Sequence, residues 1–211
     1  MKIKICGIQS IEAAEWAADA GVDMIGFVFA PSRRKVDIGA ARAIADAVRG
    51  RVKTVGVFVN APADEVEHVH QAVGLDYVQL HGDESEDYVK TLDIPVIKAF
   101  SVGQMRIEEM FRYEADHILI DSPPGKYRGG TGHAFDWSAL DDPALDRSRL
   151  IMAGGINSSN IRAAYDSVRP AGVDISSGAE TDGMKDENKI HELMEQMKGV
   201  DGNGTDLYTA E

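Results

Sequence analysis

Residues 150–178 read LIMAGGINSSNIRAAYDSVRPAGVDISSG, and this stretch decides the fold. It opens on an apolar run, Leu150–Ala153, and turns at Gly154-Gly155. A polar opening at Asn157-Ser158 leads into an amphipathic stretch, and a second β-branched run, Val173–Ser176, ends in Ser177-Gly178. Two strand-like runs joined by a helical stretch form a βαβ unit, which implies parallel strands. The same alternation recurs towards the amino terminus, at Ile3–Cys6, Met24–Phe29, Thr54–Val59, Tyr77–Leu80, Val96–Ala99 and His117–Asp121. The stretches between them carry helical spacing. In Ile11–Ala20, for example, Ile11, Ala14, Ala17 and Ala18 share one face, and Ser10-Ile11-Glu12, like Ala61-Pro62, supplies a helix start.

Eight such units within 211 residues predict an α/β protein with a single (β/α)8 barrel. An open doubly wound sheet would place a Gly-rich loop after an early strand, and no G-x-G-x-x-G occurs. Two segments break the pattern. Ser122–Phe135, rich in Gly and Pro, reads as a long loop that is either functional or disordered, because structureless connections of that length are uncommon in a compact domain. Residues 200–211 are polar and aperiodic, so the expected division is a barrel over 1–199 and a flexible tail over 200–211.

Composition narrows the function. With 35 Asp+Glu against 22 Lys+Arg the formal charge is −13, a field that repels a phosphate backbone and argues against nucleic acid as a partner. The acidic residues are spread along helical stretches, which suits a solvated surface or adaptation to high salt. An anionic ligand would need its own local positive potential. Cys6 is the only cysteine, the first residues lack a secretory apolar region, and no run approaches the ~20 apolar residues of a membrane span. A cytoplasmic protein, with no membrane association, is expected.

In a barrel the chemistry sits at the carboxyl ends of the strands. Cys6 ends the first strand, where it is either a buried small hydrophobe or a reactive group. Asp121 ends the sixth after Ile118-Leu119-Ile120, where a carboxylate is costly unless it faces a polar site. Gly154-Gly155 and Ser176-Ser177-Gly178 follow strands seven and eight, the usual place for a barrel phosphate site, and glycines there let backbone N–H groups approach an anion. Arg33 and Arg34 follow the second strand and could grip a carboxylate in a fork. His81 ends the fourth strand as either a pocket residue or a structural hydrogen-bonding group. Lys4 shares the face of Cys6 by the period of two and could supply a cation beside it or to a ligand. The six histidines form no metal motif, and neither a metal nor a cofactor is expected.

Taken in order, these strand-end segments resemble the phosphoribosylanthranilate isomerase family of tryptophan biosynthesis. The blocks are Lys4-Ile5-Cys6-Gly7-Ile8, Gly26-Phe27-Val28-Phe29, Val55-Gly56-Val57-Phe58-Val59, Val78-Gln79-Leu80-His81-Gly82 and Ile97-Lys98-Ala99. Leu119-Ile120-Asp121, Gly130-Thr131-Gly132, Phe135-Asp136-Trp137 and Ala153-Gly154-Gly155-Ile156 follow, then Val173 to Glu180 and Gly183-Met184-Lys185-Asp186. The resemblance implies a cofactor-free Amadori rearrangement of a small phosphorylated substrate by a monomer or homodimer. It casts Cys6 as general base and Asp121 as general acid. Arg34, or its neighbour Arg33, receives the anthranilate carboxylate, and the two Gly/Ser segments cradle the phosphate. Two other readings compete: a barrel isomerase of the histidine-pathway type, which calls for Asp where this chain has Cys6, and a non-catalytic phosphate-binding or redox-sensing module, which would not require Asp121 and Arg34 together.

Overall fold

The computed structural model describes residues 1–122 and 136–199. Eight parallel strands close into a barrel in chain order. They are β1 (Lys2–Cys6), β2 (Met24–Val28), β3 (Lys53–Phe58), β4 (Tyr77–Leu80), β5 (Val96–Ser101), β6 (His117–Asp121), β7 (Leu150–Met152) and β8 (Gly172–Ile175). Closure is made by β1 pairing with β8, with Lys4 opposite Asp174. The helices are α1 (Ile11–Asp19), α2 (Ile38–Ala47), α3 (Ala63–Val73), α4 (Glu86–Lys90), α5 (Ile107–Met110), α6 (Ile161–Val168) and α7 (Glu187–Gln196). A small antiparallel hairpin, β9 (Glu180–Thr181) and β10 (Met184–Lys185), follows β8.

Side-chain alternation separates two apolar layers. Met24, Val55, Ile97, Ala99, Leu119, Ile151 and Ala153 form one compact cluster in the barrel interior, in which Leu119 pairs with Ala99 on one side and with Ile151 on the other. The alternate residues, such as Ile5, Ile25, Val78, Ile118, Ile120 and Val173, pack outwards against the helices. Burying each such side chain is worth roughly 1.5–3 kcal/mol, so this outer layer holds helices to strands. At the amino face three aspartates repeat one device. Asp23, Asp76 and Asp116 accept backbone N–H bonds from Ile3, Thr54 and Val96, each fixing the start of the preceding strand.

Two helix starts follow the expectation: the Ser10 side chain accepts from Ala13 N, and Pro62 stands directly before α3. At α7 the cap is Asp186, which accepts from Asn188 N and Lys189 N. Three expectations need correction. Ile11 is exposed at 40%, while Ala13 joins Ala14 and Ala17 inside, so the buried face of α1 is turned away from the one that the spacing suggests. Asn157 does not start α6. Its side chain accepts from Ser159 N in a preceding turn, and the helix begins at Ile161 after Asn160. Nor does every unit carry a full helix: α4 and α5 are short, and the described part between β6 and β7 has only a 3-10 turn at Trp137–Leu140. The expected loop 122–135, beyond its first residue, and the tail 200–211 lie outside the described residues.

Candidate active site

The inward-facing residues of the strands change from apolar to polar near their carboxyl ends. Above the Met24 and Val55 layer come Cys6, Gln79, Asp121 and Asp174, which line a cavity of about 630 Å³ together with His81 and Ser176. The cavity therefore brings together Cys6 and Asp121, which are far apart in sequence, because β1 and β6 both present their last inward residue to one mouth.

Lys4 lies one inward step below Cys6 and is fully buried. Its Nζ donates to Asp174 Oδ1 at 2.9 Å, across the β1–β8 seam. Both Lys4 Nζ and Cys6 Sγ pack against Gly26, where a Cβ would stand 3.1 and 3.0 Å from them, so β2 needs glycine here. Lys4 is thus buried under the thiol rather than exposed to a ligand in the cavity. Burial pushes the Cys6 thiol above its ordinary pKa, with Lys4 and Lys185 drawing it back only in part. Burial alone would also neutralise Lys4, but Asp174, with Cys6 adding to it, more than offsets that and holds the ammonium charged.

Asp121 is buried, and desolvation raises its carboxyl above the usual range against the pull of His81 and the Ser122 N–H. That N–H donates to Asp121 Oδ1 at 2.7 Å. Gly154 lies directly beside this bond: its φ is +92°, and a Cβ there would stand 2.7 Å from Ser122 N and 3.0 Å from Asp121 Oδ1. His81 Nε2 is 3.7 Å from Asp121 Oδ2. Gln79 Nε2 donates to His81 Nδ1 at 3.0 Å, so a neutral imidazole carries its hydrogen on the nitrogen that faces Asp121. Burial depresses the His81 pKa, which keeps the ring neutral. Lys98, as buried as Lys4, fixes the His81 loop by donating to Leu80 O, Gly82 O and Glu84 Oε2.

Arg34 lines the same cavity, but its fork is in use. Nε and Nη2 donate to Glu180 Oε1 and Oε2 at 2.6 and 2.9 Å. Arg33 Nη2 reaches the same Oε2 at 2.8 Å, though its side chain is 61% exposed against 13% for Arg34. Of the expected phosphate segments, Gly155, Ser177 and Gly178 line an adjoining cavity of about 330 Å³ with Asn157, Ser158 and Lys189. Gly178 packs so tightly on the β7 loop that a Cβ would stand 2.0 Å from Ile156 O. Ser176 lies in the larger cavity, its hydroxyl donating to Cys6 O at 3.3 Å, and Gly154 backs Asp121 rather than lining the smaller one.

The sequence model of N-(5'-phosphoribosyl)anthranilate (PRA) isomerase matches residues 3–196. The chain belongs to this family. A relative from Oceanobacillus iheyensis, named N-(5'-phosphoribosyl)anthranilate isomerase, is 47% identical over 202 residues, covering 95% of this chain and 98% of its own. The crystal structure of phosphoribosyl anthranilate isomerase from Thermus thermophilus superposes with a TM-score of 0.86 at 35% identity, covering 95% of this chain and 100% of that one. A second, at 0.80 and 36% identity over 94% and 99% of the two chains, is a phosphoribosyl anthranilate isomerase in complex with reduced 1-(o-carboxyphenylamino)-1-deoxyribulose 5-phosphate.

Several residues of this isomerase-family site were not singled out from sequence. Asp174 and Gln79 face into the same cavity as Cys6 and Asp121, and alternation along β4 and β8 would have found them. Gln79 Oε1 is buried without a hydrogen-bond partner among the described residues. Glu180 and Lys185 are paired across the β9–β10 hairpin, and Lys189 opens α7 beside the smaller cavity. Glu180 and Lys185 lie within segments that carry the resemblance but were given no role, and Lys189 was unmarked, because their convergence depends on how the chain returns after β8.

Proposed function

We propose that this chain performs the rearrangement for which its family is named, in tryptophan biosynthesis, with Cys6 as general base and Asp121 as general acid. The observation that carries the assignment is their convergence on one cavity, with burial raising Asp121 so that it holds a proton. Asp121 protonates the furanose ring oxygen of N-(5'-phosphoribosyl)anthranilate. The bond from C1 to that oxygen breaks, its electron pair going to the oxygen, and the anthranilate nitrogen lone pair forms the C1=N iminium. Cys6, as thiolate, then takes the C2 proton. The C–H pair becomes the C1=C2 bond of an enolamine, and the iminium pair returns to nitrogen. Loss of the C2 hydroxyl proton and protonation at C1 give the ketone. Lys4, held by Asp174, favours the thiolate from below. The neutral His81, oriented by Gln79, turns its Nε2–H towards the Asp121 carboxylate that proton transfer to the ring oxygen leaves.

Two anionic ends position the substrate. The phosphate lies at Gly155 and Ser176-Ser177-Gly178, with Lys189 adding positive charge, and the anthranilate carboxylate lies against Arg34. Among the described residues no helix is long and apolar enough to cross a membrane. A cytoplasmic monomer or homodimer, with a barrel over 1–199 and a flexible tail over 200–211, completes the reading.

The test is the loss of fluorescence of the anthranilate conjugate. Wild type should turn over. Cys6→Ala and Asp121→Asn should each lose about 10²–10⁴ in kcat with modest change in KM. Asn keeps the shape but cannot supply a carboxyl proton. If Asp121→Asn folds and keeps most of its turnover, another acid opens the ring.

A further inference from the structure

We infer that Glu180 is the positioning residue for the carboxylate end of the substrate, acting through Arg34 without touching the substrate itself. This rests on the assignment of Arg34 proposed above. Glu180 has only 4% of its side chain exposed, yet three cationic side chains converge on it. Arg34 meets it edge-on through Nε and Nη2, Arg33 shares Oε2, and Lys185 Nζ lies 2.8 Å from Oε1. Lys189 Nζ is 2.5 Å from its backbone carbonyl. One carboxylate thus gathers three cationic side chains, leaving an excess of positive charge at the cavity rim of a chain whose formal charge is −13.

The geometry does more than collect charge. Arg34 is confined from a second side, since a Cβ on Gly7 would stand 2.4 Å from Arg34 Cδ. Gly7 directly follows Cys6, so the arginine stem lies across the end of β1. With Nε and one Nη on Glu180, the guanidinium plane is fixed, and Nη1 makes no hydrogen bond among the described residues. That nitrogen is the one left to meet a carboxylate in the cavity. The long, rotamer-rich side chain is therefore ordered before the substrate arrives, which removes an entropic cost from binding. Glu180 also directly follows the Ser177–Ala179 turn of the phosphate site, and Lys185 Nζ donates to Ser176 O.

The experiment is steady-state kinetics on Glu180→Gln, Arg34→Ala and the double variant, with the native substrate and with an analogue built on aniline, which lacks the ring carboxylate. Arg34→Ala should raise KM for the native substrate at least tenfold, and Glu180→Gln should do the same with kcat changed less than about threefold. In the Arg34→Ala background Glu180→Gln should add nothing, and with the aniline analogue its effect on KM should vanish. Equal KM increases in the two backgrounds, or a fall in kcat at constant KM, would overturn the inference. An Arg34→Ala variant with unchanged KM would instead remove the carboxylate assignment on which it rests. Should Glu180→Gln fail to fold because three cations are left facing one another, Glu180→Asp keeps the charge but shortens the reach. It should raise KM for the native substrate and leave the aniline analogue unaffected, and a KM equal to wild type for both would overturn the inference.

Discussion

Replacing Lys4 with Met separates its two tasks, which are holding the fold and supporting the thiolate. Met fills a similar volume with an unbranched chain, so packing against Gly26 is largely kept and the charge is removed. The variant leaves Asp174, only 8% exposed, without the ammonium 2.9 Å away. Breaking a buried pair by deleting one member costs about 3–5 kcal/mol. For a chain of this size that corresponds to a fall in Tm of roughly 6–20 °C. Asp174→Asn in the same chain should recover most of the loss, because no charge is then left buried and unpaired. The thiol responds differently. Burial already pushes Cys6 up, and losing the adjacent cation pushes it higher whether or not residue 174 is charged. Cys6 is the only cysteine, so the pH dependence of alkylation by iodoacetamide reads it alone. The midpoint should move to higher pH in Lys4→Met and remain displaced in the double variant, with activity lowered on the order of tenfold per pKa unit. If the double variant regains its Tm and shows an alkylation midpoint at the wild-type value, Lys4 is a structural cation only.

Three further outcomes follow from the same site. The active form needs Asp121 protonated and Cys6 ionised, and burial raises both, so the bell-shaped profile of kcat/KM should have both limbs above ordinary carboxylate and thiol values. An upper limb at or below the ordinary thiol value would show that the cations outweigh burial. Because the folded Asp121 pKa is raised, its contribution to stability is present at low pH and lost as pH rises through that folded value. Asp121→Asn should therefore be more stable at neutral pH despite its loss of kcat, by about 0.5–2 kcal/mol in denaturant titrations, and a less stable variant would contradict the raised pKa. Gly154→Ala would force a side chain to φ +92° and within 3.0 Å of Asp121 Oδ1, so kcat should fall well beyond what the loss of stability explains; kinetics equal to wild type would refute the close packing.

Most of the barrel was legible because parallel strands buried on both faces write themselves as short β-branched runs. All eight predicted runs correspond to strands, with ends displaced by no more than two residues. The convergence of Cys6, Asp121, His81 and Ser176 also followed, since strand ends in a closed barrel share one mouth. What was hidden is long-range. Ile11 reads as an inward residue by helical spacing, but spacing within one helix cannot say which arc of it the barrel covers. Arg34 reads as a free fork, because a guanidinium and the glutamate that occupies it are separated by 146 positions. The lysines of the β9–β10 hairpin and α7 are equally silent, since each looks like a surface charge until the chain beyond β8 folds back over the mouth.

The acidity of the chain and the cationic character of its site are parts of one arrangement. A net charge of −13 would slow the approach of a substrate bearing a phosphate and a carboxylate if it were spread evenly. Local pairing changes the balance at the mouth. Many acids serve exposed pairs such as Arg42–Asp46 and Arg162–Asp166, or tie strands at the amino face through Asp23, Asp76 and Asp116. The carboxyl face instead shares one glutamate among Arg33, Arg34 and Lys185. Salt should therefore act oppositely on stability and on binding. Screening within about 10 Å at 0.1 M relaxes the surface self-repulsion, so Tm should rise with ionic strength, while buried pairs such as Lys4–Asp174 are hardly affected. The same screening weakens the local attraction at the mouth, so KM should rise as well. Melting curves and kinetics over one salt series distinguish this from uniform surface acidity, for which added salt would raise Tm and lower KM. A series in which KM falls as Tm rises would mean that the distant carboxylates, and not the cluster around Glu180, govern the approach of the substrate.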